Sequence, residues 1–261
     1  MSSGKLDCDS VEPALSVHLL SIYWNRQQHS GLIVYRPAFV RDMACGGPYF
    51  SKLLLNAMYF AASKHSPCSD IRKDPNGIST AGWAFRQRVS DLLSETFDKS
   101  SITAIQALLI MTSSLFSRCD ERSVSWLYAG HAFNMIIDLG LHVLSPETAS
   151  AEDLEVQRRV YWSAYIIDKI HSLYQGRPPI LCEAESNIPV RFLDDFEELE
   201  GFNTLSYSTG PNLNSLPLYN ITVLTKTCEL CMIMERLLTG LYSGKRSRMD
   251  HIQSHSNVEV V

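Results

Sequence analysis

One stretch constrains this chain more than any other: residues 158–179, RRVYWSAYIIDKIHSLYQGRPP. At about 3.6 residues per turn, Val160, Ile167, Ile170 and Tyr174 form one apolar stripe, Trp162, Ile166 and Leu173 a second, and Tyr161 with Tyr165 a third. A helix that is apolar nearly all round belongs in an interior, so the rest of the chain has to be arranged about it. Its end is legible too: Gly176 suits a left-handed C-terminal cap, and Pro178 and Pro179 cannot continue a helix. Asp168 shares a row with Tyr161 and Tyr165, where an unpaired carboxylate is costly to desolvate. An arginine or a set of backbone N–H groups is expected to meet it, as a structural ion pair of the core.

The remaining chain supplies helices to surround this one. Pro13 opens the first, with Leu15, Leu19 and Ile22 recurring on one face and an end near residues 29–31. Residues 32–44 read as a short extended segment, because Arg36 precedes a proline. Pro48 restarts the chain into a second helix carrying Leu53, Leu54, Ala57, Met58 and Ala61. After a loop over 66–77, a third helix has Trp83, Val89, Leu92 and Leu93 as its buried side. Ser100 or Ser101 caps a strongly apolar fourth over Ile102–Phe116. A fifth runs through Trp126, Ala129, Ala132, Met135, Ile136 and Leu139 and closes at Gly140, and the carboxylates of Glu152 and Asp153 open the central helix.

Beyond Pro179 the chain turns acidic and then rich in Gly, Asn, Ser and Pro over 201–217, which reads as a long surface loop. A last helix over 218–238 carries Val223, Leu224, Leu230, Met234, Leu237 and Leu238. With no persistent strand alternation, the expected class is all-α: a bundle of seven or more helices with a long acidic loop and a disordered C-terminal tail. The divisions expected are a loose N-terminus (1–12), one helical domain (13–242) and a polar tail (243–261).

Charge and cysteine usage exclude several roles. A formal net charge of -5 supplies no overall attraction to a phosphate backbone, which makes this chain a poor candidate for direct DNA contact. No apolar run reaches the ~18 residues that cross a bilayer, and the N-terminus lacks a secretion signal's apolar core, so no membrane partner is expected. Seven scattered cysteines fit reduced thiols inside the cell rather than a disulfide framework.

Four constellations invite a sharper chemistry. Cys228-x-x-Cys231 lacks a second ligand pair, and two core thiols are the better reading than zinc. The run Asp194-Asp195-Phe196-Glu197-Glu198 is similar to the carboxylate clusters that hold magnesium and diphosphate in helical terpenoid enzymes; the competing reading is a solvated acidic loop. The eight histidines are dispersed, none beside a nucleophile, and His131 and His142 read as hydrogen-bonded packing residues. Lys245-Arg246-Ser247-Arg248 reads as a solvated charge run ahead of a nucleic-acid contact or import signal.

Arg158-Arg159, the pair Tyr161-Trp162, Asp168 and then Gly176-Arg177-Pro178-Pro179 together resemble the middle homology region of fungal transcription regulators. A block upstream, from Tyr128-Ala129-Gly130-His131-Ala132 to Asp138-Leu139-Gly140-Leu141-His142, is similar to that family's G-x-A…LGLH pattern. A third, Tyr35-Arg36-Pro37-Ala38-Phe39 with Cys45-Gly46-Gly47-Pro48-Tyr49-Phe50, is similar to the nitrogen-assimilation regulators in particular. The resemblance covers roughly residues 18–241. It implies a regulatory domain acting in the nucleus on RNA polymerase II transcription, with regulatory proteins and a small-molecule effector as partners and a homodimer in the full-length form.

In that family a binuclear zinc cluster on six cysteines precedes this region, and no window here holds six. The resemblance therefore implies zinc and DNA binding only through a missing N-terminal domain, and no cofactor in this chain. It implies no catalytic residue; Trp162, Gly176, Pro178, Pro179, Gly130, Gly140, Leu141 and His142 carry the signature. Arg158, Arg159, Asp168 and Arg177 are the polar groups expected to anchor the core. Two alternatives stand beside this reading: a magnesium-dependent terpenoid-type enzyme, and a truncated competitor of a full-length regulator.

Overall fold

The computed structural model describes residues 6–26, 31–116, 121–144, 149–194, 196–201 and 217–242. Eight α-helices stand among them: α1 (Pro13–Arg26), α2 (Arg36–Cys45), α3 (Lys52–Ser63), α4 (Trp83–Thr96), α5 (Ile102–Phe116), α6 (Arg122–Asp138), α7 (Ala151–Gln175) and α8 (Asn220–Tyr242). The expected all-α class is what the chain adopts; extended pairing among the described residues is confined to two isolated bridges, Arg72 with Ala81 and Gly201 with Pro217. The expected C-terminal tail, the basic run 245–248 and most of the Gly/Asn/Ser/Pro-rich stretch lie outside the described residues. No helix among the described residues is long and apolar enough to cross a membrane.

The innermost layer is α3 and α5, which pack on each other. α1 and α4 cover α3, and α6 and α7 cover α5. All but one of the residues of α3 are buried, and α5 buries Ile105, Leu108, Leu109 and Leu115 as its apolar run requires. Ser51 caps α3 by accepting the Leu54 N–H at 3.1 Å, and Ser101 accepts the Ala104 N–H at 3.2 Å at the start of α5. The central helix α7 begins at a capping box, in which Ser150 and Asp153 each bond the other's backbone N–H. It ends at Gly176, whose φ of 65° is the left-handed conformation expected there. At the end of α6, Gly140 (φ 66°) lets its own N–H reach Ile137 O at 3.0 Å and that of Leu141 reach Ile136 O at 2.9 Å, a Schellman closure.

Four expectations give way to the tertiary structure. Residues 32–35 are irregular, but from Arg36 onward the segment read as extended is helix α2. Pro37 sits in its first turn, where the N–H it lacks would have had no partner. Trp83 is exposed rather than buried, because Lys73 and Arg86 lie over its ring at 4.7 and 5.5 Å. Trp126 likewise turns outward beneath a guanidinium. On α7 the all-round burial stops near Ser172: Ile170, Leu173 and Tyr174 are exposed, as are Val223, Leu230 and Leu237 on α8.

The Cys45–Phe50 block has a physical role. Gly46, at φ 72°, ends α2, and a Cβ on Gly47 would lie 2.3 Å from the Asp42 carboxylate carbon. Asp42 needs that space to accept the Tyr49 N–H at 2.8 Å and Arg41 Nε at 2.7 Å. Although burial opposes its charge, these bonds hold it below the ordinary carboxylate range. Arg41 continues to Glu152 at 2.6 Å, and the Tyr49 hydroxyl donates to Asp153, so the block clasps the first turn of α7. Gly47→Ala is expected to cost about 1–3 kcal/mol by overpacking this turn, read as a lowered midpoint in thermal unfolding.

Candidate functional site

Two clusters of charged groups on α7 lie inside the protein rather than at its surface. Arg159 is fully buried. Its Nε donates to Glu155 one helical turn earlier at 2.6 Å, and its Nη1 and Nη2 donate to the two oxygens of Glu197 at 2.7 and 2.5 Å. Such a two-pronged bond uses the planar fork of arginine, which lysine cannot copy. Burial opposes the charge, but Glu197 and Glu155 outweigh it and hold the Arg159 pKa above its ordinary value. Tyr35 lies 4.8 Å beneath the guanidinium, and the second oxygen of Glu155 accepts the Leu193 N–H at 2.9 Å.

Nearer the end of α7, Lys169 is also fully buried. Its ammonium lies 2.9 Å from Asp168 and 3.1 Å from Glu235 of α8, and it donates to the Leu181 carbonyl. Asp168 is met as expected, by backbone: it accepts the N–H groups of Ile180 (3.1 and 3.0 Å) and Leu181 (3.0 Å). Glu235 takes the Tyr165 hydroxyl at 2.6 Å and the Glu183 N–H at 3.1 Å. Three backbone donors and a phenol thus complete a cluster of one cation and two carboxylates.

Together the clusters fasten the segment after Pro179, and α8, to the central helix. Glu197 is held by Arg159, and the adjacent Glu198 caps α8 by accepting the Ile221 and Thr222 N–H groups at 3.1 and 3.0 Å. Arg36 adds a third fastening, paired with Glu200 at 2.7 Å and lying over the Trp24 and Phe196 rings. The acidic run is thus solvated only in part: Asp194 is exposed, but Glu197 is a core residue, meeting the fully buried Arg159 as its second carboxylate. Asp195 lies outside the described residues. Asp194 accepts the Glu198 N–H at 3.1 Å, and among the described residues no group of His, Cys, Asp and Glu is placed to hold a metal ion.

The other residues singled out from the sequence divide by role. Trp162 is buried and donates to Pro189 O at 3.2 Å. Arg158 lies 3.6 Å from Glu155, outside the bidentate geometry of its neighbour. Arg177 is not in the core cluster: it stacks on Trp126 at 4.4 Å, and the turn after Gly176 leads Pro178 and Pro179 away to Ile180 and Asp168. A Cβ on Gly130 would meet nothing within 4 Å. His131 packs by stacking on Phe97 at 4.3 Å, and its Nε2, like Nδ1 of His142, has no hydrogen-bond partner among the described residues. The thiols of Cys228 and Cys231 are buried, and burial pushes Cys231 up to about 11 and Cys228 higher, which makes both poor nucleophiles. Sequence reading missed Glu155, Lys169, Glu197 and Glu235. A lysine and two glutamates on otherwise apolar helical rows were the available signal for the first, second and fourth; Glu197 carried none.

Comparison with known proteins places this geometry in context. A family model described as "Fungal specific transcription factor domain" matches residues 20–259. An uncharacterized transcriptional regulatory protein of Schizosaccharomyces pombe is 30% identical over 88% of this chain and 38% of its own length. The nitrogen assimilation transcription factors nirA of Emericella nidulans and nit-4 of Neurospora crassa are 28% and 26% identical over 86% and 88% of this chain. The chain spans only 26% and 22% of those two proteins. No solved structure matches it.

Two outcomes follow from the buried charges. Glu197→Ala leaves Arg159 without its forked partner and is expected to cost roughly 3–5 kcal/mol in urea unfolding, whereas replacing Arg159, Glu155 and Glu197 together by apolar residues of similar volume costs far less. His171, stacked on Phe116 at 3.9 Å, is pushed by burial from 6.5 down to about 4. A histidine depressed in the folded state contributes stability that is complete above pH 6.5 and is lost as pH falls toward 4, because the unfolded chain takes up the proton first. The loss is expected to reach roughly 3 kcal/mol, and His171→Phe, which keeps the stack, should flatten that part of the stability–pH curve.

Proposed function

Since the chain belongs to the fungal specific transcription factor domain family, we propose that it is the regulatory segment of a nuclear regulator of RNA polymerase II transcription. In this reading DNA is contacted by a zinc-cluster domain on the same polypeptide, and the present helices set the output of that polypeptide. The net charge of -5 supports the division of labour, since contact with phosphates calls for clustered cations. The nitrogen-assimilation relatives make control of nitrogen-source genes the favoured pathway.

The observation that carries the mechanism is the pair of buried ion clusters joining α7 to the 180–201 segment and α8. Buried ion pairs contribute little net stability but strongly prefer one geometry, which suits an element that has a docked and an undocked state. A ligand or partner that favours one state shifts the balance by its differential affinity. A surface cleft of about 320 Å³, lined by Val11, Leu15, Ile71, Trp83 and Phe85 together with the charged Glu12, Asp70, Arg72 and Lys73, has the size for a small effector with an apolar body and a polar group.

The test is a reporter assay in a fungal host, with the chain fused to a heterologous DNA-binding domain. Lys169→Met and Glu197→Gln are expected to change reporter output several-fold relative to the parent fusion, at equal protein level and with unchanged helical circular dichroism. Unchanged output from folded variants would remove the clusters from the regulatory mechanism.

A further inference from the structure

The last two turns of α7, the neighbouring side of α6 and the turn after Gly176 enclose a narrow recess. Trp126 and Phe133 line it from α6, His171 and Gln175 from α7, and Arg177 and Ile180 from the turn. Four polar atoms at this one place are shut off from solvent and have no hydrogen-bond partner among the described residues: Nδ1 of His171, Oε1 and Nε2 of Gln175, and Nη1 of Arg177. His171 is itself only 7% exposed. Asp168 also borders the recess, but its oxygens are already taken by Ile180, Leu181 and Lys169. Unmet donors and acceptors inside a protein are costly, and three side chains with theirs unmet around one recess point to an occupant.

Arg177 sets the sign of that occupant. Among the described residues no carboxylate pairs with it, and the Trp126 ring at 4.4 Å offsets part of its charge but supplies no acceptor for Nη1. A water would answer the hydrogen bonds and leave the charge, so an anion is the better match. The void is about 10 Å³, room for one oxygen-sized atom, and with its mouth the recess spans about 270 Å³. That width admits one oxygen of a flat carboxylate and excludes a tetrahedral phosphate. The rest of the molecule lies in the mouth beside Trp126 and Ile180, which are 41% and 46% exposed. Whichever way the Gln175 amide is turned, it brings one donor and one acceptor. Burial brings the His171 pKa down to about 4, so at neutral pH its ring adds a hydrogen or a lone pair and no charge. A carboxylate meets Arg177 and the amide N–H, and a hydroxyl on the adjacent carbon meets the amide oxygen. We propose that this recess binds a small 2-hydroxycarboxylate. It shares no lining residue with the cleft beside Trp83, and its occupancy does not depend on the transcriptional role.

The test is a titration of the nitrogen-labelled 261-residue chain by NMR, read at the Trp126 indole N–H, which is identified by its loss in Trp126→Phe. Glycolate is the probe, with acetate, glycolamide and chloride compared at equal ionic strength. Glycolate is expected to shift the signal saturably. Acetate, which lacks the hydroxyl, and glycolamide, which lacks the charge, should each bind more weakly. Arg177→Met and Gln175→Leu should each raise the glycolate dissociation constant at least about tenfold, with helical circular dichroism unchanged because both residues lie at the end of α7 and are only partly buried. No saturable shift overturns the proposal and leaves the recess to a water. An equal response to chloride or acetate overturns the hydroxycarboxylate class, and tight binding kept in both variants overturns the site.

Discussion

A fully buried guanidinium is the constraint on which much of this structure depends. Arg159 sits at the middle of the molecule with no solvent to hydrate it, so its charge must be met by groups fixed in place. Glu155 comes at no topological cost, being one turn away on the same helix. Glu197 comes from the segment after Pro179, which also buries Leu181, Ile188 and Phe192 in the core. Once Glu197 is drawn in, Glu198 is carried to the N-terminus of α8, and the last helix is set on the central one. Lys169 repeats the arrangement near the end of α7, so α8 is fastened near both ends by charge and between them by Leu224, Cys228 and Cys231.

This division matters for how the fold responds to perturbation. The inner layers, α3 and α5, are held by apolar burial, which is non-directional and tolerant of small displacements. The outer attachments of the 180–201 segment and α8 are held largely by directional bonds among buried charges, which are intolerant of half-measures: paired they define one geometry, and unpaired they are costly. The boundary between the two regimes runs along α7, which carries aromatic and aliphatic contacts to α5 and α6 and ion clusters toward the acidic segment. A regulatory element would be drawn from the second regime, since its bonds have a definite broken state.

Much of the architecture was legible along the chain. Helices α1 and α3–α8 follow from apolar periodicity, and the ends of α6 and α7 follow from Gly140 and Gly176, because backbone conformation is a local property that the residue itself dictates. Asp168 was placed correctly by the same logic, since its row on the helix made it a buried carboxylate whatever the fold. What local reasoning handled poorly were residues whose environment is set by distant chain. Pro37 is as compatible with a first helical turn as with extended backbone, and Trp83 and Trp126 face outward because cations from elsewhere come to lie on their rings.

By itself the sequence determined the helical class, the position and ends of the central helix, and the blocks that carry the likeness to fungal regulators, because all of these are written in residues close together in the chain. Asp168 apart, only the tertiary structure decided which charges are inside. Whether Glu197 is a solvated acid or the second partner of a buried arginine depends on the chain folding back across a separation of 38 residues, and no pattern within the acidic run distinguishes the two. The same holds for α8, whose two apolar stripes look alike in sequence. Packing against α7 buries one and leaves the other on the surface, because a single neighbouring helix can cover only one side of it.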